Sequence, residues 1–197
     1  MNPMTKRRLV ILAEGRLDLF SAKTAVSVIR YRKEEVVAVI DHVNAGKCLS
    51  SIIGVGKGIP IVSNVGETLK LKPTDLLIGI APPGGMLPDE WRKHITDALR
   101  NKMNIISGLH LHLSDDSEFC KLAQDHQLKI WDVRIPPEDI PLGTGKAKET
   151  KTLRILTVGS DCNIGKMVTS IEITDAAKKR GVNACFVATG QTGIMIE

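Results

Sequence analysis

The stretch LRILTVGSDCNIGK, residues 153–166, decides one half of the fold. Its first six residues are mostly apolar and typical of a buried strand, and the following eight carry glycines and end on Lys166. Helical spacing then predicts a helix from about Gly165 to Arg180. Strand, glycine-rich loop and helix in this order are the context of a phosphate-binding loop, in which backbone N–H groups and the helix N-terminus hold phosphate oxygens.

The loop departs from the common phosphate-loop motif in two ways. Five residues separate Gly159 from Gly165, where the common motif has about four, and Met167 replaces the hydroxyl residue that ligates Mg²⁺. Thr169 and Asp161 are the alternative Mg²⁺ ligands. The pattern therefore predicts a phosphate cradle without predicting nucleotide hydrolysis, and the competing interpretation is a structural turn with a surface lysine. The predicted phosphate-binding residues are Gly159, Ser160, Asp161, Cys162, Asn163, Ile164, Gly165, Lys166 and Met167.

Strand and helix signals alternate through the first 135 residues. The β-branched run Val36–Ile40 is typical of a buried strand, and similar apolar runs occur at Leu9–Ala13, Ile59–Val62, Leu76–Ile80, Asn104–Ser107 and Lys129–Val133. Helical spacing marks Ser21–Arg30 (with Ser21 as its N-cap), Pro88–Asn101 and Ser117–His126. Alternation of this kind predicts an α/β fold with a mostly parallel sheet covered on both faces, which is a Rossmann-like domain.

The chain divides by composition into three parts. Residues 1–135 form the Rossmann-like domain, and the proline- and glycine-rich residues 136–151 form a linker. Residues 152–197 form the start of a P-loop NTPase-like domain, with a second strand at Ala184–Ala188. One strand–helix–strand unit is shorter than an independent domain. It therefore either docks on the first domain or, as we favour, continues in a longer protein, so that the second domain is truncated.

Composition excludes several classes of function. Apolar residues make up 43% and charged residues 25% of the chain, which argues against disorder. Without a membrane span or a signal peptide, a cytoplasmic location is expected. The net charge of +5 is dispersed and aromatic residues make up only 3%, so nucleic acid and membrane partners are not expected, whereas a small anionic ligand is. Four cysteines without a C-x-x-C pair indicate free thiols. A homo-oligomer is left open.

Further candidates stand at the predicted strand ends, where open α/β sheets bind ligands. Thr189, Gly190, Gln191, Thr192 and Gly193 form one candidate substrate loop, and Pro83 with Gly84 form another. His110 is the candidate general base, because imidazole titrates near neutral pH.

Two other kinds of site are not expected from the residues alone. His110 and His112 are two residues apart, but no metal site is predicted because they lack a clear third ligand. Asp41 ends a strand as a ribose-binding acid would, but no G-x-G-x-x-G precedes it, so NAD is not expected.

Taken together, the segments resemble the DgcN family of D-glutamate N-acetyltransferases, long catalogued as a domain of unknown function. The resembling motifs span nearly the whole chain and include Leu12–Gly15, Val37–Asp41, Ala81–Gly85, Ser107–His110, Leu113–Asp116, Ile130–Arg134, Thr157–Cys162, Gly165–Met167 and Phe186–Ile194. The resemblance implies a Rossmann-like N-terminal domain and a P-loop domain similar to dethiobiotin synthetase.

The same resemblance implies an enzyme that transfers an acetyl group from acetyl-CoA to a D-amino acid such as D-glutamate. The loop around Lys166 would then hold the phosphates of acetyl-CoA or of ATP, the latter with Mg²⁺. It also implies that the P-loop domain of the full-length parent continues beyond Glu197, which leaves activity of this shorter chain open. Two alternatives stay open: an ATP-dependent ligase or kinase-like enzyme resembling dethiobiotin synthetase, and a non-catalytic nucleotide-binding module.

Overall fold

The computed structural model describes residues 7–19, 21–80, 87–140, 143–161 and 164–197. Contacts divide the chain into two compact units, Met1–Ile135 with Ile196 and Pro136–Met195 with Glu197. Across the described ranges, no helix combines the length and the apolar character needed to cross a lipid bilayer.

The first unit is built on a six-stranded sheet in the order β3-β2-β1-β4-β5-β6, with every neighbouring pair parallel. The strands are β1 (Leu9–Leu12), β2 (Val36–Ile40), β3 (Ile61–Val62), β4 (Asp75–Ile78), β5 (Asn104–Ser107) and β6 (Ile130–Asp132). The helices of this unit are α1 (Lys23–Tyr31), α2 (Leu49–Ile53), α3 (Val65–Thr68), α4 (Asp89–Arg100) and α5 (Ser117–Asp125). Short 3-10 turns lie at Lys33–Glu35, His42–Asn44, Leu69–Leu71 and Leu113–Asp115.

The sheet interior explains why these short apolar runs become strands. Every residue of β1 is fully buried, and β1 pairs with β2 on one side and with β4 on the other. Helix α1 packs very closely at Gly79, where a Cβ would lie 2.5 Å from Ile11 Cγ2 and 2.8 Å from Ala25 Cβ. Strand order reverses between β1 and β4, and at such a switch point the carboxyl ends of parallel strands leave a crevice for ligands.

The predicted parallel sheet is confirmed, and strands β2 and β5 have the predicted bounds. Helix α1 begins two residues later than predicted, so its N-cap is Ala22 and the prediction of Ser21 in that role is wrong. Helices α2 and α3 were not predicted, because five and four residues are too few to show helical spacing.

The second unit contains a 3-10 turn at Lys146–Glu149 and two helices, α6 (Lys166–Lys179) and α7 (Gln191–Ile196). Helix α6 lies within the predicted bounds. In contrast, neither 153–158 nor 184–188 is a β-strand, although both segments are described. A strand is stabilised by its neighbours, and the side chains here are largely exposed: 84% for Leu153, 80% for Val158 and 71% for Val187. These two predicted strands are therefore corrected.

Candidate functional site

The beginning of α6 has the geometry of an anion-binding helix end. Gly165 precedes the helix with a φ of 97°, a left-handed conformation that strains any other residue, and its carbonyl accepts a hydrogen bond from the Thr169 N–H at 2.9 Å. Glycine has no side chain with which to cap the helix. The first backbone N–H groups, those of Lys166, Met167 and Val168, therefore have no intrahelical acceptor and suit an anion.

Gly159 allows the loop to close on itself. A Cβ at this position would lie 2.2 Å from Ile164 Cδ1 and 3.4 Å from Lys166 Cδ. The side chain of Ile164 therefore lies against the backbone of Gly159, and the two ends of the loop meet. The glycine at each end of the predicted motif thus has a separate structural cause: close approach at Gly159 and left-handed backbone at Gly165.

Lys166 brings a positive charge into this loop. Its Nζ donates to the backbone carbonyl of Asp161, and its own carbonyl accepts a hydrogen bond from Thr157 Oγ1 at 2.9 Å. The hydroxyls of Thr157 and Ser170 are 2.7 Å apart and bond to each other. Lys166 is therefore held at the loop by both its ends, with its ammonium on the loop side.

The structure brings most of the predicted phosphate-binding residues into this single loop. Gly159, Ser160 and Asp161 lead into it, and Ile164–Met167 lead out of it into α6. Cys162 and Asn163 lie outside the described residues, and so do Pro83 and Gly84 of the candidate loop after Ile80.

The predicted substrate loop at 189–193 is a loop only in part. Thr189 and Gly190 precede α7 and are exposed, whereas Gln191, Thr192 and Gly193 belong to its first turn. A Cβ at Gly193 would lie 3.0 Å from Ala188 Cβ and 3.3 Å from Phe186 Cε1, so the helix packs tightly on the preceding segment. The prediction of a loop is therefore corrected for Gln191, Thr192 and Gly193. This packing stabilises a helical turn where the residue types alone indicate a loop.

His110 lies in an ordered loop beyond the carboxyl end of β5, and its side chain is exposed. The buried carboxylate of Asp132 accepts hydrogen bonds from the N–H groups of Leu113 and Ser114, at 3.1 and 2.8 Å. Arg134 Nε donates to the carbonyl of Gly108 at 2.7 Å. These bonds fix the backbone on both sides of His110, and its exposed side chain is accessible to a substrate.

A second group of polar residues lies beyond β1 and β2, and the sequence analysis singled out only Asp41 among them. Ligand atoms of Glu14, Asp41 and His42 all lie within 4.8 Å of one another. Nε2 of His94, on α4, lies 3.9 Å from Glu14 Oε2. Burial lowers the pKa of His94, so this imidazole favours its neutral form. In the sequence, Glu14 follows one predicted strand, and Asp41 and His42 follow the next. Whether these side chains come together depends on the order of the strands in the sheet.

Asp41 does not have the geometry of a ribose-binding acid. It is completely buried, its Oδ1 accepts hydrogen bonds from the N–H groups of Gly15 and Val43 at 3.1 and 3.2 Å, and its Oδ2 accepts from Asn44 Nδ2 at 2.7 Å. The side chain thereby fastens the turn after β1 to the turn after β2.

A parallel Rossmann-like sheet in one unit, and a glycine-bounded lysine loop at a helix N-terminus in the other, define a two-part α/β protein with a phosphate-binding loop. Family models agree with this class: residues 42–136 match a domain of unknown function described as DUF1611_N, a Rossmann-like domain, and residues 141–197 match DUF1611_C, a P-loop domain. The chain belongs to the DUF1611 family.

Two curated proteins of similar sequence extend the match. The chain is 41% identical over 130 residues to a D-glutamate N-acetyltransferase of Pseudoalteromonas sp., covering 66% of this chain and 39% of that protein. It is 32% identical over 180 residues to a D-glutamate N-acetyltransferase of Tritonibacter scottomollicae, covering 91% of this chain and 50% of that protein. The chain therefore spans half or less of the length of these curated relatives.

A solved structure is also similar. The crystal structure of a DUF1611 family protein from Anabaena variabilis has a TM-score of 0.91 and 40% identity, with 96% of this chain and 55% of that chain covered.

Proposed function

We propose that this chain takes part in the transfer of an acetyl group from acetyl-CoA to the amino group of a D-amino acid such as D-glutamate. The phosphate loop at 159–167 binds the phosphates of coenzyme A in this proposal. The observation that carries it is the loop between Gly159 and Lys166, which combines a helix N-terminus, a glycine at each end of the motif and an ammonium group. The names of the two curated relatives support the reaction.

The loop suits a phosphate group for three physical reasons. N–H groups at the start of α6 lack intrahelical acceptors, and the helix adds partial positive charge at this end. Gly159 adds no side chain of its own to the loop, which leaves its backbone open to a ligand. Lys166 neutralises phosphate charge once its ammonium exchanges the Asp161 carbonyl for a phosphate oxygen.

The same loop favours coenzyme A over ATP with Mg²⁺. Met167 stands where the common motif has the hydroxyl that ligates Mg²⁺. The hydroxyls of Thr157 and Ser170 lie close by, but they bond to each other, and Thr157 Oγ1 also donates to the Lys166 carbonyl. Thr169 and Asp161 are the remaining candidate ligands of the sequence analysis. Coenzyme A needs no such ligand, whereas the alternative of an ATP-dependent ligase does.

Acetyl transfer also requires a base, since only a neutral amine attacks a thioester. Acetyl-CoA supplies the activated acetyl group when it is bound. His110 is the candidate group that accepts the proton from the substrate ammonium, because its imidazole is exposed and its backbone is fixed by Asp132 and Arg134.

The binding step is tested by calorimetric titration of the 197-residue chain with coenzyme A, and with ATP in the presence and absence of Mg²⁺. Loss of a charge-assisted contact to phosphate costs about 1.5–3 kcal/mol, so we expect Lys166→Ala to raise the Kd of coenzyme A about 10- to 100-fold. Lys178→Ala is the matched control, because this lysine is exposed in the last turn of the same helix. Equal affinities of the two variants would refute the phosphate-loop assignment.

The reaction is tested with acetyl-CoA and D-glutamate by release of free thiol and by the mass of the product. N-acetyl-D-glutamate formed by the chain, and lost in Lys166→Ala, supports the proposal. If the chain binds coenzyme A but transfers no acetyl group, the result favours the alternative of a non-catalytic binding module for this chain. Release of ADP that depends on substrate would instead favour the ligase alternative.

A further inference from the structure

We propose that Thr157 is a positioning residue of the phosphate loop: its hydroxyl group fixes the backbone of Lys166 and thereby places the Lys166 ammonium for a phosphate. The role rests on the phosphate loop proposed above, and Thr157 acts on the ligand only through Lys166. Thr157 precedes the loop and Lys166 begins α6 after it, nine positions later, so the contact joins the two sides of the loop.

The hydrogen bonds around Thr157 have one consistent direction. A carbonyl oxygen can only accept, so Thr157 donates its single O–H proton to the Lys166 carbonyl, at 2.9 Å. The Ser170 hydroxyl lies 2.7 Å from Thr157 Oγ1, and Ser170 is therefore the donor of that second bond. Ser170 thus orients the hydroxyl of Thr157, which in turn holds the carbonyl of Lys166. The proton of Thr157 is already used, so this side chain donates no hydrogen bond to a ligand.

The segment that carries Thr157 has little apolar packing to hold it in place. Leu156 and Val158, the chain neighbours of Thr157, are 79% and 80% exposed, and in the described part of the chain 153–158 belongs to no sheet. In a parallel sheet, by contrast, paired strands fix the position of each residue, as they do in β1. The two hydroxyl bonds of Thr157 therefore matter more here than they would in a paired strand.

Fixing the Lys166 backbone favours binding because it reduces what the lysine loses when a phosphate arrives. A lysine side chain has many rotamers, and holding its ammonium in one place costs conformational entropy. The Lys166 carbonyl is already held by Thr157, and its Nζ already donates within the loop, to the Asp161 carbonyl. A group that is positioned before the ligand binds contributes more of its interaction energy to affinity.

The test is calorimetric titration of the 197-residue chain and its variants with coenzyme A. Thr157→Val keeps the shape of the side chain but removes the hydroxyl group. It should raise the Kd about 3- to 10-fold, as expected for the net contribution of one neutral hydrogen bond. Thr157→Ser restores the hydroxyl group and should bind within about twofold of the parent chain. This rescue separates the effect of the hydroxyl group from that of side-chain bulk.

Thr174→Val is the matched control. Thr174 Oγ1 donates to the Ser170 carbonyl at 2.9 Å, so this substitution removes the same kind of bond, at the same length, from the same helix. Thr174 is buried and lies two turns beyond Lys166, away from the loop. Thermal unfolding should show Thr174→Val to be at least as destabilised as Thr157→Val, while its Kd for coenzyme A stays within about twofold of the parent chain.

A double-mutant cycle with Lys166→Ala measures whether Thr157 acts through Lys166. Two residues that act through one interaction give non-additive effects, whereas independent effects add. In the Lys166→Ala background, Thr157→Val should therefore raise the Kd less than about twofold, because the ammonium that it positions is absent. A general loss of stability in Thr157→Val would instead weaken binding by the same factor in both backgrounds.

The outcomes separate the positioning role from the phosphate loop itself. If Lys166→Ala weakens binding but Thr157→Val does not, the phosphate loop stands and the positioning role is overturned. Equal losses of affinity in Thr157→Val and Thr174→Val, or equal factors in the two backgrounds of the cycle, also overturn the role, since Thr157 would then support only the fold. If the parent chain binds no coenzyme A, or Lys166→Ala binds it as tightly as the parent, the phosphate loop fails and the role of Thr157 fails with it.

Discussion

The two units of the chain contain similar apolar runs that have different structures. In the first unit, Leu9–Leu12 forms the fully buried strand β1 between two parallel neighbours. In the second, four of the six residues 153–158 are leucine, isoleucine or valine, but they form no strand and these four side chains are exposed by 68% or more.

The difference shows that neighbours, rather than local sequence, make the strand. Strand propensity measures how well a side chain packs against cross-strand and same-face neighbours. Residues of β1 pair with β2 on one side and with β4 on the other, and α1 packs against this part of the sheet. Among the described residues, 153–158 has no such partner in a sheet, so the same residue types remain in contact with water.

Amide hydrogen exchange should give the largest contrast between the two regions. We expect the amides of β1 to exchange only through global unfolding, because each is buried and hydrogen-bonded in the sheet interior. Amides of 153–158 should exchange at least about 1,000-fold faster, since no sheet hydrogen bond protects them. The measurement is exchange followed by mass spectrometry of peptides that cover both segments.

Addition of coenzyme A provides the control for this contrast. Ligand binding at the phosphate loop should slow exchange in 159–167, while β1 changes little. Comparable protection in β1 and 153–158 without ligand would contradict the comparison, because it would mean that the second segment is paired.

A matched pair of leucine substitutions tests the same difference in energy. Leu77 in β4 is 1% exposed and Leu156 is 79% exposed. Leu77→Ala should lower the free energy of unfolding by about 2–5 kcal/mol, since it removes buried methyl groups and leaves a cavity. Leu156→Ala should change it by less than about 0.5 kcal/mol. Calorimetry records every unfolding transition of both variants, and a large loss in Leu156→Ala would show that this side chain is packed.

Much of the first unit could be predicted from the sequence because its strands are apolar runs bounded by turn residues. Val36–Ile40 is one example, since five apolar residues end at Asp41. The sequence could not show that Glu14 and Asp41 approach each other, because this depends on β1 and β2 being neighbours in the sheet. His94 was hidden for the same reason: its partner is 80 residues away in the chain.

The P-loop domain over residues 141–197 could be predicted for a different reason. Gly159, Gly165 and Lys166 act through local backbone geometry, which short-range sequence encodes directly. Helix α7 was missed because Gly190–Gly193 is typical of a loop, and only its packing on Phe186 and Ala188 makes it helical. Structure that depends on local backbone geometry could thus be predicted from the sequence, whereas packing between residues that are distant in the chain could not.

Helix N-termini extend the comparison of the two units. The N-cap of α5 is Asp116, whose carboxylate accepts from the N–H groups of Glu118 and Phe119, whereas the N-cap of α6 is Gly165, which has no side chain to cap the helix. Arg92 of α4 bonds both oxygens of Asp116, at 2.7 and 2.9 Å, and lies 4.4 Å from the centre of the Phe119 ring. The hydrogen bond from Arg92 is the main reason why the pKa of Asp116 is lowered from its usual 3.8.

The smallest expected effect concerns this ion pair. Because the folded state lowers the pKa of Asp116, the pair stabilises the fold above pH 3.8, and this contribution is lost as the pH falls through the lowered value. Asp116→Asn retains a capping oxygen but removes the charge. Since Arg92 is 39% and Asp116 26% exposed, the variant should lose less than about 1 kcal/mol at pH 7.

Urea unfolding of the variant and the parent chain between pH 7 and pH 2 measures this difference. It should stay constant at neutral pH and shrink below about pH 3.8, as the parent carboxylate takes up its proton. Asp125→Asn, at the exposed end of the same helix, is the control and should change little at any pH. A difference that persists unchanged at pH 2 would mean that Asp116 acts through its capping geometry, because a protonated carboxyl group no longer forms an ion pair with Arg92.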